Sequence, residues 1–344
     1  MASENAENST NNLHDFTPAI GLTNPNLQTI FSSAIRKIII PRTEAGFLNA
    51  GQEEIISVGD VRLKIDRDNP ENKEPLGLIM IIPGWLGHSK SSYVVSLAKK
   101  LVDARFEVVR ITLRDHGETC HLNSGIFHSA ETQEVVDLIK KLAEDFQVRY
   151  PNKGGDLTTG LVGFSMGGNF ALRVARQLPS IRTLAISPSL SPQKTIQKIE
   201  NSQIYRPYFI NKWRKIFRDK QRHFPDLYDF SYAMKQRSII TLTKYFIEEF
   251  TSFESVDSYC DAYDLCGSRL EGVNAHILAS LDDPVVPTSD IDELPPSVSR
   301  KMTKRGGHTA FIENWALESW SDSYTERFFL VSRNDELTKA EQGY

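Results

Sequence analysis

Short, strongly apolar runs alternate with amphipathic segments along most of this 344-residue chain. The run LGLIMII at 76–82 is apolar throughout, which is typical of a parallel strand covered on both faces. A segment over 130–149 instead repeats apolar residues at helical spacing, at Val135, Leu138, Ile139, Leu142 and Phe146. Strands that alternate with helices predict the α/β class, with a mostly parallel central sheet flanked by helices.

The same reasoning predicts the individual elements. Apolar runs predict strands over 53–65 (a hairpin turning at Gly59-Asp60), 76–82, 106–113, 157–164, 181–187, 275–280 and 297–303. Helices are predicted over 91–104, 130–149 and 167–178. The alternation stops between about 190 and 272, where the sequence is aromatic, charged and helical in pattern. This stretch predicts a helical cap inserted between two late strands.

The predicted organisation has five parts. They are a disordered N-terminal tail (1–15), a first core part (16–189), a cap (190–272), a second core part (273–333) and a C-terminal tail (334–344). The first tail is rich in Asn, Ser and Glu, a composition that cannot bury enough apolar surface to order itself.

Composition excludes several classes of protein. The net charge of -4 gives no electrostatic footprint for nucleic acid. The three cysteines, Cys120, Cys260 and Cys266, form neither a disulfide framework nor a CxxC pair. The N-terminus lacks the pattern of a secretory signal, and no apolar run is long enough to span a bilayer. We therefore expect a soluble cytoplasmic protein.

One motif carries chemistry. Gly163-Phe164-Ser165-Met166-Gly167 has the form G-x-S-x-G and lies between a predicted strand and a predicted helix. This context is typical of a sharp strand-to-helix turn that projects a serine hydroxyl above the sheet. The alternative is a purely structural tight turn whose serine has no chemical role. We predict that Ser165 is a nucleophile.

A serine hydroxyl is a weak nucleophile and needs a base that a third group orients. After Ser165, the predicted strand 275–280 ends in Asp282-Asp283-Pro284, so either aspartate could be the orienting acid. We favour Asp283, which directly precedes the Pro-Val-Val-Pro turn. His308 is the only histidine after this acid, and it follows a further predicted strand within a glycine-rich loop. We predict that His308 is the base.

Two backbone amides are candidate oxyanion donors. The Met166 N–H follows the nucleophile at a helix N-terminus, and the Trp85 N–H follows Gly84 in the loop after the third strand. No cofactor or metal is expected, because His116, His121 and His128 do not have zinc-site spacing and no nucleotide-binding glycine motif is present.

These pieces together resemble the α/β-hydrolase superfamily, and more narrowly its YheT and embryogenesis-associated branch, also called AB hydrolase 4. The resemblance covers about 20–333 and rests on NPNLQTI at 24–30, PGWLG at 83–87, LRDHGET at 113–119, GFSMGGN at 163–169, DDPVVP at 282–287 and RGGHTAFI at 305–312. It implies the α/β-hydrolase fold and an esterase or lipase acting on carboxylic esters.

The chain departs from this family at two loops. Many members have His-Gly in the oxyanion loop, where this chain has Pro83-Gly84. The loop after the fourth strand often runs Arg-Gly-Cys/His-Gly in the family, whereas here it is Arg114-Asp115-His116-Gly117. The first departure questions the usual side-chain support of the oxyanion loop, and the second predicts an altered pocket floor.

The segment 209–222 predicts a basic amphipathic helix within the cap. Such a helix either contacts an anionic membrane surface or, more often, packs over its own core with a solvated basic face. The expected substrate is a small-molecule or lipid ester, of the short-chain carboxylesterase or acylglycerol lipase type. A thioesterase or acyltransferase using the same triad, and a catalytically silent scaffold, are the alternatives.

Overall fold

A single eight-stranded sheet forms the centre of the computed structural model, which describes residues 15–71, 73–151 and 157–341. Its strands are β1 (Gln52–Val58), β2 (Val61–Asp68), β3 (Gly77–Ile82), β4 (Glu107–Thr112), β5 (Thr158–Phe164), β6 (Arg182–Ile186), β7 (Ala275–Ser280) and β8 (Val298–Thr303). The spatial order is β1-β2-β4-β3-β5-β6-β7-β8. Strands β3 to β8 run parallel, and the β1–β2 hairpin adds an antiparallel edge. The predicted mostly parallel α/β sheet is confirmed.

Helices lie before, between and after the strands. They are α1 (Pro25–Ile30), which continues through a π-helical turn (Phe31–Ile35) into α2 (Arg36–Thr43), then α3 (Ala45–Ala50), α4 (Ser92–Asp103), α5 (Gln133–Arg149), α6 (Met166–Gln177), α7 (Pro192–Glu200), α8 (Tyr205–His223), α9 (Ile239–Phe250), α10 (Val256–Asp261) and α11 (Trp320–Glu341). Short 3₁₀ turns occur at Ala233–Lys235, Gly267–Leu270 and Ser289–Ile291.

The strand β3 shows why the sheet is buried on both sides. Its Leu78, Met80 and Ile82 pack with α5 and α6 on one face. Its Ile79 and Ile81 pack with α4 and α11 on the other face. Because successive side chains of a strand point to opposite faces, a strand between two helical layers must be apolar at every position.

The chain between β6 and β7 is helical and has an apolar core of its own. Ile210 and Phe217 of α8 lie in this core together with residues of α7, α9 and α10. The apolar face of the basic segment 209–222 is therefore covered from within the chain. Membrane contact through this segment stays a prediction, and only its basic face is exposed for it.

A buried ion pair joins this cap to the sheet. The ammonium group of Lys220 in α8 donates to Oδ1 of Asp115, 2.8 Å away, and to the carbonyl oxygens of Asn123 and Gly125. Both charged side chains are almost completely buried. Asp115 has φ 59°, in the left-handed region where related loops often have glycine. The departure from the family at this position thus coincides with an aspartate that pairs with the cap.

We expect Lys220→Met to lower the free energy of unfolding by about 3–5 kcal/mol, because it leaves the Asp115 charge buried without its ammonium partner. The matched control is Lys215→Met in the same helix, where the lysine is exposed and pairs with Asp219. That change should cost at most about 1 kcal/mol. Urea denaturation measures both values, and equal values for the two variants would contradict a structural role for the buried pair.

The last helix reaches into the segment predicted as a C-terminal tail (334–344). Helix α11 continues to Glu341. The sequence NDELTKAE contains no glycine or proline to end the helix and several strong helix formers to extend it. Residues 342–344 and the predicted disordered segment 1–14 lie outside the described residues. No helix among the described residues is long and apolar enough to cross a membrane.

Candidate active site

Ser165 stands at the turn between β5 and α6 with φ 55° and ψ -116°. This backbone conformation is strained for a residue other than glycine. The glycines of the motif make the turn fit. A Cβ atom at Gly163 would lie 2.1 Å from the carbonyl oxygen of Gly167, and one at Gly167 would lie 2.3 Å from that of Pro83. The local sequence therefore permits this turn, and the turn lifts the Ser165 side chain above the sheet.

Three side chains predicted from sequence are brought together above this turn. Nε2 of His308 lies 2.9 Å from Oγ of Ser165, and Nδ1 of His308 lies 2.8 Å from Oδ2 of Asp283. With the imidazole proton on Nδ1, the ring donates to Asp283 and accepts from the Ser165 hydroxyl. The Asp283 side chain is fully buried, so its charge is little screened by water.

The structure separates the roles of the two neighbouring aspartates. Oδ1 of Asp283 accepts hydrogen bonds from the backbone N–H groups of Val285 and Val286, which leaves Oδ2 facing His308. Oδ1 of Asp282 instead accepts from the backbone N–H of Gly307, 3.0 Å away. Asp283 contacts the imidazole, whereas Asp282 holds the loop that carries it.

Lys198 of α7 also touches the acid loop, and sequence reasoning missed it. Its ammonium group donates to the carbonyl oxygens of Asp283 (2.7 Å) and Val286 (2.9 Å). Burial lowers the pKa of Lys198, and the nearby Asp283 charge partly offsets this effect. No local pattern marks this lysine, because its partners lie some 85 residues further along the chain.

The oxyanion loop lies directly against the serine. A Cβ atom at Gly84 would be 3.3 Å from Cβ of Ser165. The backbone N–H of Gly84 donates to the hydroxyl of Tyr93, 3.0 Å away, and burial raises the pKa of Tyr93 so that it stays neutral. Tyr93 thus supports the oxyanion loop, in which this chain has Pro83-Gly84 where many related chains have His-Gly. Tyr93 was not predicted from the sequence.

The two candidate oxyanion donors are the next residues in sequence after Ser165 and after Gly84. Met166 is the first residue of α6 and Trp85 follows Gly84. Within the described part of the chain, neither backbone N–H is paired with an acceptor. Both donors are thus available to a bound ligand.

The other histidines near the β4 loop do not join this site. His116 is buried, and its Nδ1 lies 2.8 Å from the carbonyl oxygen of Arg114. Burial lowers the pKa of His116 to about 4, so it is neutral near pH 7. The rings of His121 and His223 lie 5.6 Å apart and are tilted, and His128 lies near Glu131. No group of three metal-binding side chains converges within the residues described.

Strand order, the strained serine and the ordered Ser–Asp–His contacts together have the form of an α/β hydrolase. A model described as "Alpha/beta hydrolase family" matches residues 79–318, and the chain belongs to this family. It is also similar to the Escherichia coli (strain K12) protein named "Putative esterase YheT", with 24% identity over 90% of this chain and 91% of that one. The resemblance to the YheT branch is thereby confirmed.

Solved structures show the same fold. The Pyrococcus furiosus esterase Pf2001 has a TM-score of 0.51 and 15% identity, and the match covers 84% of this chain and 92% of the esterase. The serine hydrolase CCSP0084 from Cycloclasticus zankles has a TM-score of 0.52 and 16% identity, covering 81% of this chain and 98% of that one. These structures show the fold, while the family membership and the similarity to the putative esterase support a hydrolase of esterase type.

Proposed function

We propose that this protein hydrolyses carboxylic esters through an acyl-enzyme intermediate, with Ser165, His308 and Asp283 as the catalytic residues. The observation that carries the proposal is the continuous chain of two hydrogen bonds, 2.9 Å and 2.8 Å long, from the serine hydroxyl through the imidazole to the buried carboxylate. The esterase names of the relatives support the same reaction class.

In the first step, Nε2 of His308 takes the proton of the Ser165 hydroxyl while Oγ attacks the ester carbonyl. The imidazolium that forms is stabilised by the Asp283 carboxylate, which stays ionised. The tetrahedral intermediate collapses when His308 returns its proton to the leaving alcohol. A water molecule activated by His308 then attacks the acyl-serine and releases the acid, which restores Ser165.

The amides of Met166 and Trp85 are proposed to bind the oxyanion of both tetrahedral intermediates. Both amides have no acceptor in the described chain, and Gly84 holds the Trp85 segment against Ser165. Donors fixed in place before the reaction stabilise developing charge without reorganisation, and losing one costs roughly 2.7–4 kcal/mol.

An apolar aromatic group adjoins the oxyanion loop and is proposed to contact the acyl chain. The Trp85 ring stacks on Phe209 with centroids 5.3 Å apart and meets Trp213 edge-on at 5.2 Å. Both partners come from α8 of the cap. Since Trp85 follows the glycine that touches Ser165, its ring places apolar surface next to the site where an acyl group would be attached.

The decisive experiment exposes purified protein to p-nitrophenyl esters of increasing acyl length and, separately, to a fluorophosphonate probe. We expect hydrolysis of at least one ester and labelling of Ser165, located by peptide mass spectrometry. Neither hydrolysis nor labelling is expected of a silent scaffold, and that result would contradict the proposal.

Phe209→Ala is expected to lower kcat/KM for p-nitrophenyl octanoate by about 10-fold and that for the acetate by less than about twofold. The reason is that each methylene contact in an apolar pocket is worth roughly 1–3 kcal/mol, and only the longer chain reaches the ring. Phe253→Ala is the control, since Phe253 lies in the cap against Tyr259 and does not touch Trp85. Equal losses for both esters would show that Phe209 does not contact the acyl chain.

A further inference from the structure

The N-terminal segment NPNLQTI forms α1 and its N-cap, and the polar side chains within the helix bond to other parts of the chain. Asn24 caps the helix by accepting from the N–H groups of Asn26 and Leu27. Oδ1 of Asn26 accepts from the hydroxyl of Tyr205 at the start of α8. Gln28 and Thr29 are buried. A helix this close to the chain's start is therefore built into the cap and the core.

Gln28 ties α1 to the chain that follows the triad histidine. Its amide nitrogen donates to the carbonyl oxygens of Leu22 and Ile312, each 2.9 Å away, and its amide oxygen accepts from the N–H of Ile312, 2.7 Å away. Gln28 thus pairs with both backbone groups of Ile312 as a neighbouring strand would. This fixes α1 in register with the segment after His308.

The loop carrying His308 has no regular secondary structure, and its backbone is held by side chains from three other elements. Successive N–H groups donate to different acceptors: Gly307 to Asp282 after β7 (3.0 Å), His308 to Oγ1 of Thr29 in α1 (2.9 Å), and Thr309 to Ser187 after β6 (3.3 Å). Gly307 and Thr309 have φ values of 60° and 57°. External hydrogen bonds therefore set the path of this loop.

The Thr29 hydroxyl is oriented for its contact. It donates to the carbonyl oxygen of Pro25, 2.8 Å away, which leaves the lone pairs of its oxygen to accept from the N–H of His308. The helix also approaches the loop closely, since a Cβ atom at Gly307 would lie 2.7 Å from the Pro25 oxygen and 2.8 Å from Oγ1 of Thr29. Only glycine fits between the helix and the histidine.

We propose that Thr29 is a positioning residue for the catalytic histidine, an inference that rests on the proposed ester hydrolysis. By accepting from the His308 backbone, Thr29 fixes the point from which the imidazole spans Ser165 and Asp283. The imidazole makes both of its contacts at once, at 2.9 Å to Ser165 and 2.8 Å to Asp283. Hydrogen bonds weaken steeply when they are misaligned, so a shift of the His308 backbone weakens at least one of the two. A misplacement of about 1 Å near a reacting group costs on the order of 10²-fold in rate.

Three variants separate positioning from stability. Thr29→Val keeps the shape of the side chain but removes the acceptor, and Thr29→Ser keeps the acceptor. Thr325→Val is the matched control, because Thr325 is a buried helical threonine whose hydroxyl donates to the carbonyl four residues before it, as that of Thr29 does. Thr325 accepts nothing from the His308 loop.

We expect Thr29→Val to lower kcat for the best p-nitrophenyl ester by roughly 10- to 100-fold, with KM within about twofold. The rate constant for fluorophosphonate labelling of Ser165 should fall by a similar factor. Thr29→Ser should recover kcat to within about threefold of the wild type. Thr325→Val should keep wild-type kcat while lowering the melting temperature about as much as Thr29→Val does.

The outcomes are distinguishable. If the wild type is neither active nor labelled, the proposed function fails and this inference with it. If the wild type is labelled at Ser165 but Thr29→Val is labelled just as fast, only the positioning role is overturned. Equal impairment of the Val and Ser variants would also overturn it, because the hydroxyl would then not be responsible.

Discussion

Replacing Ser165 with alanine is expected to lower kcat for p-nitrophenyl butyrate by roughly 10⁴- to 10⁶-fold. The variant has no atom that can form the acyl-enzyme, so His308 and Asp283 lose the group that they activate. What remains is the slower attack of water next to the oxyanion donors. The fold should be preserved, because among the described residues the Ser165 side chain bonds only to His308, and alanine can keep the same backbone.

The matched control is Ser57→Ala, which removes an exposed hydroxyl from β1 at the far edge of the sheet. It should keep wild-type kcat and labelling. Circular dichroism and thermal unfolding of both variants establish that each is folded. Wild-type activity in a folded Ser165→Ala protein would show that another group is the nucleophile.

Asp283→Asn is expected to lower kcat by roughly 10⁴-fold. A carboxylate can only accept from the imidazole, so it holds the proton on Nδ1 and leaves Nε2 free to accept from Ser165. An asparagine can donate to Nδ1 and thereby place the ring proton on Nε2, where the ring no longer acts as a base. The loss should appear in kcat, measured with saturating ester.

The neighbouring Asp282→Asn is an internal control of the same chemistry. The asparagine oxygen can still accept from the N–H of Gly307, so the loop should keep its path. We expect kcat within about threefold of the wild type. A loss as large as that of Asp283→Asn would mean that the two carboxylates share the task of orienting His308.

Much of the fold follows from local sequence. The run 76–82 is apolar at every position, and the structure places β3 between two helical layers. The β1–β2 hairpin turns at Gly59-Asp60, as predicted. The exception is the N-terminal part, where helices α1 to α3 were not predicted. The buried face of α1 presents Gln28 and Thr29, so the helix lacks the apolar stripe that periodicity detects.

The candidate site also has a part that follows from local sequence and a part that depends on the tertiary structure. The turn at Ser165 is encoded within five residues, since Gly163 and Gly167 relieve the clashes that the turn creates. The order of serine, acid and histidine along the chain identified His308 and narrowed the acid to two neighbours. The sequence favoured Asp283 over Asp282 only through the turn that follows it, whereas in the tertiary structure one carboxylate faces the ring and the other faces Gly307.

By itself, the sequence determined the α/β class, the serine turn and a short set of partners for Ser165, because each depends on the spacing of nearby residues. The tertiary structure alone decided which groups hold those partners in place. Thr29 lies 279 residues before His308, and Lys198 lies 85 before Asp283. Each contact joins a side chain to a distant backbone group, and every residue carries such groups, so nothing in the sequence marks the recipient.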